Sequence, residues 1–184
     1  AGAPLAGTAP TAVATQGQVT LSWTAPSNNG ALITGYLVEY SADNGVTWLA
    51  GPTASGLGST AVTVTGLTNG TAYKFRFRAI NTVGTGAASA EVSATPFTVP
   101  TSPRNVTTVA ANTQVTVSWT APASTGGSAI TGYLVERSAD GGLTWTTLAT
   151  TAASASSYVS TGLTNGTTYA YRVTAINAAG GGVA

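Results

Sequence analysis

The sequence predicts an all-β protein of two antiparallel β-sandwiches in series, the second lacking its last strand. Three observations predict it. The 184-residue chain is written twice: QVTLSWTAP at 18–26 returns as QVTVSWTAP at 114–122, and ITGYLVEYSAD at 33–43 returns as ITGYLVERSAD at 130–140. Apolar residues alternate with polar ones, the period of a strand with one buried face, and no stretch carries a helical stripe. The composition is 43% hydrophobic but only 6% charged, against about 25% charged in ordinary soluble domains. Four Trp, seven Tyr and three Phe suffice to build cores, so the low charge is not the mark of a disordered chain.

The elements follow in order. Val19, Leu21 and Trp23 alternate with Thr20 and Ser22 and make the first clear strand. SNNG at 27–30 turns the chain. Tyr36, Val38 and Tyr40 share one parity of the next strand, which runs into the turn DNG at 43–45. LTNG at 67–70 precedes a strand in which Tyr73, Phe75, Phe77 and Ala79 alternate with Lys74, Arg76 and Arg78. VGTG at 83–86 turns again, and residues 88–95 form a closing strand. The second copy has one extra residue before Tyr133 and one fewer before Leu163, both between apolar runs and so in loops. The parity places Trp23, Tyr36, Val38, Tyr73, Phe75 and Phe77 in one core, and Trp119, Tyr133, Val135, Tyr169, Tyr171 and Val173 in the other.

These repeats divide the chain into a first domain at 1–96, a proline-rich linker at 97–103 and a second domain at 104–184. The prolines at 96, 100 and 103 make the joint short and stiff. Copy two stops at NAAGGGVA, where Val183 and Ala184 align with Ala87 and Ala88, so the counterpart of the closing strand is missing. Tyr169, Tyr171 and Val173 then lie on an open strand, a candidate assembly edge. Either a longer chain supplies the strand, or a neighbouring copy donates one, with residues 1–9 as the nearest candidate donor.

The Trp of the second strand, ITGYLVEY on the third, and LTNGTAY leading into AIN resemble the landmarks of fibronectin type III domains, in both copies and in order. The resemblance implies two sheets, with strands A, B and E in one and C, C′, F and G in the other. It also implies that Tyr73 and Tyr169 are tyrosine corners, their hydroxyls bonded to nearby backbone.

Residues 41–48, SADNGVTW, and 138–145, SADGGLTW, share the pattern S-x-D-x-G-x-T-W. The pattern resembles the Asp-box of sialidases and other β-proteins, and poses three readings: a calcium loop, half of a glycosidase site, or a hairpin turn. Calcium takes about six to eight oxygen ligands, and each loop brings one carboxylate. Even in sialidases the Asp-box lies away from the chemistry. The turn reading assigns every residue a role: Asp43 and Asp140 accept from amides of their own loop, Gly45 and Gly142 take positive φ, and Trp48 and Trp145 cover the hairpin.

Inventory limits the remaining functions. The chain has no Cys, Met or His, which removes disulfides, thiolate chemistry, His-ligated metals and nucleophilic triads that need a histidine. Its five carboxylates are Glu39, Asp43, Glu91, Glu136 and Asp140, and no pair is placed across a cleft as glycoside hydrolysis requires. The expectation is therefore a non-enzymatic chain with no cofactor. A net charge of +1 gives no footprint for nucleic acid, and no apolar run is long enough for membrane insertion. Lys74, Arg76 and Arg78 line one face of a strand, where cross-strand pairing with Glu39 accounts for them better than an anionic ligand does. Asn69, Asn105 and Asn165 head sequons, which matter only in a host that glycosylates them. The expected role is a structural or adhesive spacer of a secreted or surface-exposed microbial protein, part of a filament, sheath or surface assembly. The alternatives are an accessory module of a secreted polysaccharide-degrading enzyme and a decoration or fibre module of a phage virion. The expected partners are neighbouring domains or further copies of itself, with carbohydrate as a ligand class still open. The expected location is extracellular, on a cell surface or on a virion.

Overall fold

The computed structural model describes all 184 residues and contains strands, turns and no α-helix. The chain divides into two compact units, Ala1–Phe97 and Thr98–Ala184. In unit 1, β1 (Thr11–Thr15), β2 (Gln18–Ser22) and β5 (Ala61–Val64) form one sheet in the order β1-β2-β5. The other sheet contains β3 (Ile33–Ser41), β4 (Leu49–Ser55), β6 (Tyr73–Asn81) and β7 (Val92–Ala94), in the order β4-β3-β6-β7. Every pairing is antiparallel. This is the three-plus-four arrangement that the fibronectin type III resemblance implied.

The register of β3 on β6 decides what enters the core. Tyr36 stands opposite Ala79, Val38 opposite Phe77 and Tyr40 opposite Phe75, whereas Glu39 stands opposite Arg76 on the other face. Tyr36, Val38 and Phe75 are fully buried. The rings of Trp23 and Phe77 stack at 4.8 Å, and Tyr36 meets Trp23 edge-on at 5.3 Å. Such pairs add about 0.5–1.5 kcal/mol each beyond their area burial.

Unit 2 repeats the plan with β8 (Arg104–Ala111), β9 (Gln114–Thr120) and β12 (Ser157–Thr161) in the order β12-β9-β8. Its second sheet is β11 (Thr146–Ala152), β10 (Gly132–Ser138), β13 (Ala170–Asn177) and β14 (Gly180–Gly181), in the order β11-β10-β13-β14. Its core is Val117, Trp119, Tyr133, Val135, Val173 and Ala175. Trp119 still meets Tyr133 at 5.4 Å, but Val173 stands where unit 1 has Phe77, so the stacked third ring is lost.

Two expectations need correction. Tyr169 and Tyr171 are half-buried rather than core residues. In unit 1, β7 pairs with Tyr73, Lys74 and Phe75, and Val92 and Ala94 pack on the core. In unit 2, β14 pairs only with Ile176 and Asn177, as Thr85 bridges Ile80 in unit 1, so no strand flanks Tyr171 on that side. Residues 1–9, the candidate donor, are committed within unit 1. The Gly2 and Leu5 amides donate to the carbonyls of Asn29 and Ser27, and the Ala90 amide donates to Gly7. Part of the expected linker is tied down in the same way, since Thr98 and Thr101 donate to Gly126 and Ser124 of unit 2.

Candidate functional site

The two hairpins between β3 and β4 and between β10 and β11 carry the only repeated acidic motif. In unit 1 the chain reverses at Asn44 and Gly45, with φ of 63° and 90°. Positive φ at both central positions is the signature of a tight hairpin turn, which favours Asn-Gly. In unit 2 the same positions are Gly141 and Gly142, with φ of 76° and 94°. Ser41 Oγ donates to Asp43 Oδ1 at 2.7 Å and accepts from the Gly45 amide at 2.8 Å. Asp43 also accepts from the Thr47 amide at 2.9 Å and from the Thr47 hydroxyl at 2.5 Å. Trp48 Nε1 donates to the Gly45 carbonyl at 3.0 Å. Unit 2 has the same network: Ser138 Oγ donates to Asp140 at 2.7 Å, Thr144 N and Oγ1 donate at 2.9 and 2.5 Å, and Trp145 Nε1 donates to Gly142 at 3.1 Å. Each named residue of S-x-D-x-G-x-T-W thus closes a bond inside its own turn.

Donors alone lower the carboxylate pKa here. The Ser41 hydroxyl, then the Thr47 hydroxyl and amide, bring Asp43 down to about 2. Ser138 and Thr144 hold Asp140 well below the ordinary carboxylate range. Nowhere do three metal-ligating side chains converge.

Beside each hairpin lies a ladder that the strand pattern only half shows. The Arg76 guanidinium sits over the Trp48 ring at 3.8 Å, and its Nε donates to Glu39 Oε2 at 2.5 Å. Arg78 reaches the same oxygen at 3.2 Å. In unit 2, Arg172 sits over Trp145 at 4.3 Å and donates to Glu136 Oε2 at 2.6 Å. The bond to Glu136 raises the Arg172 pKa further. Lys74 belongs elsewhere, 3.0 Å from Glu91. Cross-strand pairing was legible in the sequence. The aromatic lid was not, because Trp48 and Arg76 are 28 residues apart and meet only because β3 aligns β4 on one side and β6 on the other.

The Tyr73 hydroxyl accepts from the Thr68 amide at 3.1 Å, and Tyr169 accepts from Thr164 at 3.2 Å. That bond lowers the Tyr169 pKa. Tyr171 and Val173 lie on β13, half-buried and buried respectively. Sequence reasoning missed the asparagine of AIN. Asn81 is buried; its amide nitrogen donates to Gly2, Asn28 and Ala31 carbonyls, and its oxygen accepts from Val83 and Gly84. Asn177 does the same work toward Thr98, Thr125 and Ala179. The signal was available: an asparagine recurring at the end of an otherwise apolar strand.

These features define a tandem of β-sandwich modules in which polar groups fasten loops to sheets. The chain belongs to the fibronectin type III domain family, whose model matches residues 3–95 and 101–184. It is 35% identical to chitinase A1 of Niallia circulans over 90% of this chain and 22% of that protein. It is 36% identical to exoglucanase B of Cellulomonas fimi over 90% of this chain and 15% of that protein. It is 33% identical to the striated-muscle M-protein of Gallus gallus over 89% of this chain and 12% of that protein. Among solved structures it resembles the FN1–FN3 domains of chicken CNTN1, at a TM-score of 0.48 and 24% identity over 99% of this chain and 64% of that one. The chain spans less than a quarter of the length of these curated relatives.

Proposed function

We propose that the chain is a non-catalytic spacer of a larger extracellular protein, and specifically an accessory segment of a polysaccharide-degrading enzyme. The observation that supports it is the state of the carboxylates. Glu39, Glu91 and Glu136 are paired with basic side chains, and Asp43 and Asp140 are spent on hairpin donors. Glycoside hydrolysis needs two carboxyl groups facing across a substrate, about 5–9.5 Å apart. The shallow depression beside the first hairpin, lined by Asp43, Tyr73, Lys74 and Ser93, offers one carboxylate that is already bonded. Similarity to a chitinase and an exoglucanase favours the enzyme-associated reading over a surface assembly or a virion. Chitin and cellulose are insoluble, so an enzyme acting on them works outside the cell and gains from a stiff arm. Neighbouring domains of the same protein are then the principal partners, and the hairpins and tyrosine corners are the fixtures that keep each module rigid.

The experiment removes both units from the parent protein. Turnover of a soluble oligosaccharide should persist while attack on the insoluble polymer falls. Hydrolysis by the isolated 184 residues, or equal loss on both substrates, would overturn the proposal.

A further inference from the structure

The six basic residues are distributed in a way that singles out one peptide bond. Lys74, Arg76 and Arg78 lie in β6, Arg137 in β10 and Arg172 in β13. β6 and β10 are central strands, paired on both sides, and alternate residues of β6 from Tyr73 to Ala79 are buried. The side chains are held as well: Lys74 by Glu91, Arg76 and Arg78 by Glu39, Arg137 over the Tyr169 ring and Arg172 by Glu136. A protease needs an extended stretch of free backbone, and freeing any of these strands exposes core.

Arg172 also borders an open edge, since β14 pairs only with Ile176 and Asn177. Glu136, the Trp145 ring and the buried Val173 beside it hold it in place, and Arg104 has none of these. It opens β8, an edge strand paired only with β9. All eight residues of β8 are exposed, and none packs on the unit 2 core. The ladder is broken just after it, with the register shifting between Arg104 and Thr107. Asn105 sits at φ of 51°, the left-handed region that asparagine enters readily, and so interrupts the extended backbone of β8. Arg104 has no acidic partner; its guanidinium donates only to the Ala121 carbonyl at 3.2 Å. Pro103, just before it, is buried and must be uncovered with the segment, a single side chain against the five that open with β6. The counterpart in unit 1, β1, is better anchored, because Ala12 and Ala14 pack against its core.

We infer that the Arg104–Asn105 bond is a limited-proteolysis site for a trypsin-class protease, the one place where the folded chain is cut. The protease catalyses addition of water across the amide. The bond from the Arg104 carbonyl carbon to the Asn105 nitrogen breaks, the carbon gains hydroxyl as a carboxylic acid, and the nitrogen gains the proton as a free amine. The cut falls at the start of β8, an edge strand of unit 2, so the first break opens that sandwich at its least buried strand.

The test is brief digestion of the folded 184-residue chain with trypsin, read by mass spectrometry. Fragments 1–104 and 105–184 should appear first, before any cut in β6, β10 or β13. R104Q should remove the early cut and slow first cleavage at least about tenfold, and R104K should keep it. In low, non-denaturing urea the Arg104 cut should accelerate little, since its opening exposes little surface, while the remaining cuts accelerate steeply. Early cleavage at Arg172 or in β6, or an R104Q chain that disappears as fast as the parent, would overturn the inference. Because the readout is the bond cut and not polymer degradation, it fails or stands independently of the spacer reading.

Discussion

Asp43 and Asp140 are exposed, yet hydroxyl and amide donors hold them ionised far into acid. The folded pKa of Asp43, about 2, lies below the ordinary 3.8. Its stabilising contribution is therefore complete above the ordinary value and is lost as pH falls through the folded one. Asp140 behaves alike, with its loss completed further into acid. Chemical denaturation between pH 5 and about 2 should show stability falling in this window. D43N and D140N should each flatten the fall in their own unit, and an unchanged slope in both would separate the hairpins from acid sensitivity. Since internal donors occupy both carboxylates, calcium should leave the melting temperature where magnesium leaves it. The Trp48–Arg76 contact has its own measurement. A double-mutant cycle of W48A and R76A, with unfolding followed in urea, should give a coupling of about 0.5–2 kcal/mol. A coupling near zero would make the stacked geometry incidental.

The elements fall into two classes of legibility. β2, β3 and β6 were readable because each buries one face, and a period of two survives in the sequence wherever one face is dry. β8 carried no such signal: its eight residues are all exposed, so burial imposes no alternation. β14 was hidden because two glycines have no side chain to betray a pairing. The hairpin residues were legible as a motif, since each backbone-bonding role demands one residue type. The recurrence of Asn81 and Asn177 was visible, but their partners were not, because these come from three separate segments. Tyr73 tests how much a single loop-to-sheet fastening contributes. It is buried, and Y73F leaves the Thr68 amide without its acceptor. The bond is part-buried and Thr68 itself is exposed, so its loss costs the net worth of one hydrogen bond, about 0.5–1.5 kcal/mol, and unit 1 should lose stability in that range in urea. A Y73F chain as stable as the parent would show that water replaces the hydroxyl without cost.

At the scale of the whole chain, two units of one plan have unequal cores. Thirteen buried residues form the unit 1 cluster and six form that of unit 2. Unit 1 has the Trp23–Phe77 stack and a closing strand over Tyr73 and Phe75. Unit 2 has valine in place of Phe77, and β14 reaches only Ile176 and Asn177. Hydrophobic stabilisation scales with apolar area removed from water, so the 184-residue chain should unfold in two steps, unit 2 first. Two-unit chains do not obey one two-state equilibrium, and calorimetry resolves the steps directly. Paired substitutions assign them. F77A removes a buried ring and should lower only the upper transition, by about 3–5 kcal/mol. V173A should lower only the lower transition, by a smaller amount, because fewer methyl groups leave the core. Trp23 and Trp48 report on one unit and Trp119 and Trp145 on the other, so W48F and W145F variants show by fluorescence which unit is melting. If F77A moved the first transition, or if both substitutions moved one shared transition, the inequality of the two cores would not govern how the molecule comes apart.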